Sequence, residues 1–504
     1  MLDVPSLADL NLVVAAPVVF LSLYVTLLLL IDVLFIPKER KILTAYLTLF
    51  SLFVAFILVL LVYDKEDSAL YDMFIADAFT SFANVTVLIT AFITVLLSVD
   101  YLKRTKTEQS EYYVLLLFSV IGVMMMASAN NLIVIFVALE LLSIPLYVLV
   151  AMRHESAKSE EGGIKYFIMG AFASAFFVYG AALIYGATGA IQLPEIFEAV
   201  KHINGDTAEV VYLLVGTAMI IVALGFKVAV VPFHMWTPDV YEGAPTPITA
   251  FMSVGAKVGG FAALLRIVTL ALPEFMLESG DPAAWQTTML LIAAVTMILG
   301  NFVAVAQTNI KRMLAYSSIA HAGYILMAVA AAGSGDSVIA ETATKAAMLY
   351  LMTYMFTNLG AFAIVLGIEK DDGSGTDVDD FIGLSKSKPI LAMMMAVFML
   401  SLTGIPLTGG FVGKWLVFSA ALQADLVWLT VIGVLTSVVS AYYYVRVIVN
   451  MYLKEGEGDP ATGATEYVTY AAMIAFSGTI LLGIFPNLAL DLLDKVNIAF
   501  TVIF

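Results

Sequence analysis

The chain has no cysteine among its 504 residues. That excludes disulfides, thiolate-bound metals, cysteine-ligated iron–sulfur clusters and thioether-attached haem within it. Histidine is scarce, and His154, His202, His234 and His321 are too scattered to suggest a ligand cluster. Charge is thin, at 13% of residues against about a quarter in an ordinary soluble domain. The net charge of −16 argues against a nucleic acid partner, whose phosphates require a basic surface. No glycine-rich phosphate loop precedes a helix, so nucleotide binding is not expected. A cleavable signal peptide is not expected either, because the first apolar run is too long for one and follows Asp3 and Asp9.

What fills the chain is hydrophobic residues, 62% of the total. They fall in runs of about 20, the length that carries a helix through a bilayer core. In lipid, only helices and closed barrels satisfy every backbone polar group, and barrel strands are short and strictly alternating. The runs therefore predict an all-α polytopic membrane protein of about fourteen spans. These fall near 11–36, 42–63, 78–98, 112–128, 131–151, 164–188, 209–231, 247–271, 286–306, 311–332, 343–367, 389–419, 424–453 and 467–485, before an amphipathic tail at 486–504. The acidic stretch 64–77 reads as a loop, and 369–388, rich in Gly, Ser and acid, as a flexible loop.

Lysine and arginine are retained on the cytoplasmic side of short loops. Of the 24, sixteen lie in or at the edges of loops that follow odd-numbered spans, four (Lys65, Lys201, Lys345 and Lys495) lie on the other side, and four fall deeper inside spans. The bias predicts odd-numbered loops in the cytoplasm and both termini outside.

The intramembrane charges are Glu140, Lys227, Lys257, Arg266 and Lys414. A charge at mid-bilayer costs roughly 2.5–3.5 kcal/mol on insertion scales and commonly marks an ion or proton path. Taken singly, each also fits snorkelling or one structural ion pair; for Arg266, near the outer end of its helix, snorkelling is the better reading. Lys227 and Lys414 differ because their helices carry breakers. Pro232 follows Lys227, and Gly404, Pro406, Gly409 and Gly410 precede Lys414. Broken helices at corresponding places in two halves point to a transport site. Spans 4–8 and 9–13 form two five-helix units of opposite topology, with the break in the fourth helix of each. The division is 1–111, an N-terminal three-helix segment; 112–271, the first unit; 272–453, the inverted second unit; and 454–504, a last helix and tail. Lysine suits a relay because desolvation and a movable carboxylate pull its proton affinity in opposite directions. His234 and His321 fit either an extension of that relay or helix–helix hydrogen bonding.

The segments 225–266 (GFKVAVVPFHMWTPDVYEGAPTPITAFMSVGAKVGGFAALLR), 300–328 (GNFVAVAQTNIKRMLAYSSIAHAGYILMA) and 400–418 (LSLTGIPLTGGFVGKWLVF) resemble the antiporter-like membrane subunits of respiratory complex I, the proton-pumping NADH–quinone oxidoreductase. Within that family YEGAPTP at 241–247, EEGGIKYFIMGAFASAFFVYG at 160–180 and YYYVRVI at 442–448 favour the N-subunit branch over the sister L and M branches. The resemblance runs from about residue 70 to 455. It implies a proton relay of Glu140 on helix 5, Lys227 on helix 7 paired with it, Lys257 on helix 8 and Lys414 on helix 12. His234, Lys165 and His321 are possible further members. It also implies a chain without its own cofactor, with FMN, iron–sulfur clusters and quinone in partner subunits. The expected partners are the other membrane-arm subunits, the peripheral redox arm and lipid, in the plasma membrane of a prokaryote. A cation/proton antiporter subunit, a ferredoxin- or deazaflavin-dependent relative of the complex, and a passive scaffold are the competing readings. The buried lysines count against the last.

Overall fold

A computed structural model describes residues 10–37, 41–63, 65–153, 156–203, 208–272, 284–455 and 465–493. The chain begins with α1 (Ala16–Phe35) and α2 (Ile42–Leu61), then β1 (Asp67–Ala69) and β2 (Phe74–Ala76), then α3 (Ala78–Arg104). The next group is α4 (Glu111–Ser128), α5 (Leu132–Val150), α6 (Ala157–Thr188), short α7 (Leu193–Val200), α8 (Ala208–Val228), short α9 (Thr237–Gly243) and α10 (Thr246–Arg266), which a π turn prolongs to Ala271. Then come α11 (Ala284–Val305), α12 (Ile310–Ala331), α13 (Ser337–Leu366), the single turn α14 (Leu384–Ser387), α15 (Pro389–Thr403), α16 (Gly409–Gln423) and α17 (Val427–Leu453). The chain closes with α18 (Glu466–Ile484) and α19 (Asn487–Leu493).

Among the described residues, 13 helices are long and apolar enough to cross a bilayer. The remaining expected span, 389–419, is divided into α15 and α16. The seventh ends at Val228 rather than 231, before an irregular stretch and α9. Side-chain caps start several helices: Asp77 accepts from Thr80 N at 2.7 Å for α3, and Asn309 accepts from Arg312 N at 3.1 Å for α12. The tail expected at 486–504 is helical over Asn487–Leu493, and the rest lies outside the described residues.

Two loops differ from expectation. The 64–77 stretch contains an antiparallel hairpin with Asp67 opposite Ala76 and Ala69 opposite Phe74. The 369–388 stretch is not a free loop. Its Thr376 O accepts from Ile310 N at 2.8 Å, Val378 N donates to Thr308 O at 2.8 Å, and Asn450 Nδ2 donates to Val378 O at 2.9 Å. Phe381, within this stretch, is fully buried. Composition alone missed these pairings, which come from residues far apart in sequence.

Helices α3, α10, α12 and α13 are buried nearly all round, whereas α1, α6 and α17 turn apolar faces outward. A broad apolar outward face is what a lipid solvent permits. The packing order has a repeat. α4 lies on α5, α5 on α6, α6 on α8, α8 on α10, and α10 returns to α4. Likewise α11 lies on α12, α12 on α13, α13 on α15 and α16, α15 on α17, and α17 returns to α11. The first two helices of each set meet at a glycine. A Cβ on Gly122 would lie 2.4 Å from Leu142 N, and one on Gly300 would lie 2.7 Å from Ala320 N. Small residues let membrane helices approach this closely. In each set that contact is within two residues of a titratable side chain, Glu140 or His321.

Candidate functional site

A helix end leaves carbonyls without intrahelical partners, and inside a bundle each needs another donor. The end of α8 shows how these are supplied. Val230 N donates to Gly225 O at 3.0 Å, Trp236 Nε1 to Phe226 O at 3.0 Å, and Lys257 Nζ, from α10, to Val228 O at 2.7 Å. Ala229, the first residue past the helix, has φ of +63°. Lys227, just before the break, is 2% exposed and donates to the Tyr166 hydroxyl at a long 3.4 Å. Tyr166 in turn stacks on Trp236 at 4.5 Å.

The second break repeats the device with a different lysine. α15 stops at Thr403, Gly404 turns with φ of +94°, and Leu407 follows at +72°. Glycine is required at 410, where a Cβ would sit 1.9 Å from Ser401 O. Lys414, on the first turns of α16, donates to Leu402 O at 2.9 Å, Thr403 O at 3.0 Å and Ser437 Oγ at 2.9 Å. Its ammonium also stands 4.9 Å from the centre of the Tyr324 ring.

His321 connects these two regions. It is 4% exposed and its Nδ1 and Nε2 lie 2.7 and 3.2 Å from the hydroxyls of Tyr350 and Tyr444. Both Lys257 and Lys414 are within electrostatic reach of it. From Lys414 the hydrogen bonds continue through Ser437 to Tyr324 at 3.3 Å, and from Tyr324 to Asn301 at 3.1 Å. Asn301 accepts from Tyr443 at 3.0 Å. Sequence reading singled out His321 but not these tyrosines or Asn301, since neutral polar groups carry no mark in a hydropathy profile.

The other expected members lie apart from this line. Glu140 is half-buried at the edge of the chain and accepts a hydrogen bond from Ser174. It is within electrostatic reach of Lys227, but the pairing that the resemblance implies is not a contact ion pair within 4 Å among the described residues. His234 is half-buried beside the first break. His202 is exposed, and His154 lies outside the described residues. Arg266 does not snorkel. It is 1% exposed and its Nη2 donates to both Asp77 carboxylate oxygens at 2.8 and 2.9 Å and to Thr80 Oγ1 at 2.6 Å, while Nε donates to Ala127 O at 2.7 Å. It is a structural clamp between α10 and the start of α3.

Lys165 belongs to a charge lattice at the surface, not to the buried line. It is 41% exposed and pairs with Glu161 at 2.6 Å and Asp239 at 2.8 Å. Arg312 bonds Asp239 at 2.6 Å and Glu242 at 3.1 Å, and Lys158 reaches Glu242 at 2.7 Å. The lattice ties α6, α9 and α12 together. Burial pushes the Asp239 and Glu242 carboxyls up, but hydrogen bonds from Lys165 and Arg312 to the first, and from Lys158 and Arg312 to the second, outweigh it and hold both below the usual carboxylate range. A lowered folded value means stability that is present above the ordinary carboxylate pKa and lost as pH falls through the lowered one. Thermal stability of the detergent-solubilised protein is therefore expected to drop below about pH 4, more steeply than in Asp239→Asn. Identical profiles would remove the lattice from the stability account.

A bundle of this kind, with two broken helices whose loose ends are held by buried lysines along a tyrosine- and histidine-lined interior, defines a helical membrane transporter. The chain belongs to the family described as the NADH:quinone oxidoreductase/Mrp antiporter membrane family, whose profile matches residues 129–440. NADH-quinone oxidoreductase subunit N of Trichlorobacter lovleyi is 43% identical over 482 residues, covering 95% of this chain and 96% of that one. Its counterpart from Chloroflexus aggregans is 41% identical over 494 residues, covering 98% and 99%. Among solved structures, a chain of respiratory complex I from Thermus thermophilus with bound aureothin superposes with a TM-score of 0.79 at 32% identity, covering 94% of this chain and 98% of that one. A chain of the Mrp complex from Dietzia shares the fold with a TM-score of 0.81 at 20% identity, covering 96% and 97%.

Proposed function

We propose that this chain is a proton-translocating, N-type subunit in the membrane arm of a proton-pumping NADH–quinone oxidoreductase. It moves protons outward along Lys227, Lys257, His321 and Lys414. The observation that carries this reading is the capping of each broken helix by a buried lysine, Lys257 on Val228 O and Lys414 on Leu402 O and Thr403 O. A lysine in low dielectric is poised between charged and neutral forms, and a nearby charge tips it. Glu140, at the chain's edge and within reach of Lys227, is where a change of charge in a neighbouring subunit acts first. The Tyr147 and Tyr166 rings, 4.8 Å apart, fill the space beside it. A shifted charge at Lys227 alters the proton affinity of Lys257, then of His321 and Lys414 in turn.

In this reading residues 112–271 and 272–453 are two inverted five-helix units. The repeated packing order and the paired glycine contacts support that division. The described helices on either side, α1 to α3 before and α18 and α19 after, pack on them. The distribution of basic residues supports cytoplasmic odd-numbered loops and external termini, in a prokaryotic plasma membrane. Electron transfer through FMN, iron–sulfur clusters and quinone belongs to the partner subunits, and the identity of the relatives supports NADH as donor.

The test is purification of the tagged chain in mild detergent, with mass spectrometry, an absorbance spectrum and an activity assay of the eluate. Co-purifying flavin and iron–sulfur proteins with NADH–quinone reductase activity are expected. An eluate of only small colourless hydrophobic partners would replace this reading with the antiporter one.

A further inference from the structure

A second buried charge cluster lies outside the lysine line. Glu369, three residues past the end of α13, is 1% exposed although Lys370, Asp371 and Asp372, which follow it directly, are exposed. Its Oε2 accepts from Thr246 Oγ1 at 2.5 Å, on the first turn of α10. Arg153 comes no closer to it than 3.8 Å. Lys311 is 3% exposed, within electrostatic reach of Glu369, and spends its ammonium on Ala244 O at 2.8 Å. The Tyr101 hydroxyl nearby has no hydrogen-bond partner among the described residues.

The contrast with Arg266 and Asp77 is informative. That structural pair is closed by two bonds under 3 Å and completed by Thr80 and Ala127. Glu369 is as deeply buried yet holds one hydroxyl and one distant guanidinium. Its charge is compensated by a field from two cations rather than locked in a contact pair. Its nearest cation, the Arg153 guanidinium at 3.8 Å, is a loose partner rather than a clamp.

A polar path leads inward from it. Thr246, Thr249, Ser253 and Lys257 are spaced three, four and four residues apart, which places them on one face of α10 over about 16 Å. All four are buried. Ser253 Oγ accepts from Asn358 Nδ2 at 2.5 Å. The other Asn358 amide atom, Oδ1, is buried without a hydrogen-bond partner among the described residues, and the Tyr354 hydroxyl, one turn earlier on α13, lies beside the Ser318 hydroxyl. Buried polar groups of this kind are ordinarily satisfied by ordered water, and Tyr354 also lies 4.9 Å from His321, ring to ring.

We propose that Glu369 is the proton-loading residue at the cytoplasmic mouth of this path, taking protons from the surface turn 370–372 and delivering them past Thr246 and Ser253 to Lys257. The proposal rests on the proton-translocating reading above and adds a residue and a route to it. No bond other than O–H and N–H changes. The proton leaves solvent for the Glu369 carboxylate, passes along hydroxyls and water, and ends on the lysine nitrogen.

The test uses the assembled complex in sealed vesicles, reading protons moved per electron transferred, with assembly checked on native gels and Lys257→Met as reference. Glu369→Gln is expected to lower the ratio as far as Lys257→Met does, Glu369→Asp to restore it, and Thr246→Val to lower it with both cations and the carboxylate still in place. If Lys257→Met lowers the ratio and Glu369→Gln does not, the loading role is wrong. If Glu369→Gln fails to assemble, Thr246→Val decides, and a normal ratio there overturns the path. A normal ratio in Lys257→Met itself would instead bring down the wider reading.

Discussion

Lys257→Met is expected to lose proton translocation and to destabilise the protein, whereas Lys227→Met is expected to lose translocation with little change in stability. Both remove a titratable nitrogen from the proposed relay, and loss of a positioned proton carrier slows transfer by about a hundredfold or more. The stability costs differ because the two ammonium groups do different structural work. Lys257 donates to Val228 O at 2.7 Å. Methionine has the length but no donor, so the carbonyl at the end of α8 is left buried and unpaired, at about 1–3 kcal/mol. Among the described residues Lys227 has one hydrogen-bond partner, Tyr166, at 3.4 Å. Replacing a weakly held buried charge by an apolar side chain of similar shape is often neutral or stabilising. Protons per electron in vesicles and thermal unfolding in detergent separate the two effects. Equal destabilisation by both substitutions would mean that the cap on Val228 contributes nothing, and normal translocation in either would remove that lysine from the relay.

Arg266→Met should destabilise the fold by about 3–5 kcal/mol, because it strands the Asp77 carboxylate in the bundle. The pair is closed on all sides: Arg266 also holds Thr80 Oγ1 and Ala127 O, and its guanidinium lies 4.9 Å from the Phe79 ring centre. Asp77 has a second task, accepting from Thr80 N to start α3. The double change Arg266→Met with Asp77→Ser should recover most of the loss, since serine still caps a helix and no charge remains. Thermal unfolding of the two single variants and the double variant forms a cycle whose coupling energy reads the pair directly. A stable Arg266→Met protein would return Arg266 to the membrane surface as a snorkelling residue.

The two arginine and lysine outcomes mark where sequence stops. Arg266 and Lys257 sit nine residues apart on one helix, and both are charges in an apolar run. Nothing local separates the clamp from the proposed relay residue. The distinction lies in the partner. Asp77 caps the start of another helix, 189 residues away, and Val228 O exists as a free acceptor only because α8 stops there. Glu140 is a similar case: its helix position was legible, but whether it touches Lys227 depended on how α5 and α6 pack.

By itself the sequence determined that the chain is helical, that it spans a membrane many times, and where most spans run. Length and continuity of apolar runs settle those points, because lipid leaves the backbone no other way to satisfy its hydrogen bonds. It also marked both breaks, since glycine and proline act through the local backbone. Tertiary structure alone decided which carbonyls the breaks expose and which lysine meets each. It alone buried Glu369 and Lys311, brought the tyrosines around His321, and anchored 369–388 to α12 and α17. Those outcomes depend on contacts between distant segments, where a few ångströms decide whether a charge is clamped, capped or free to titrate.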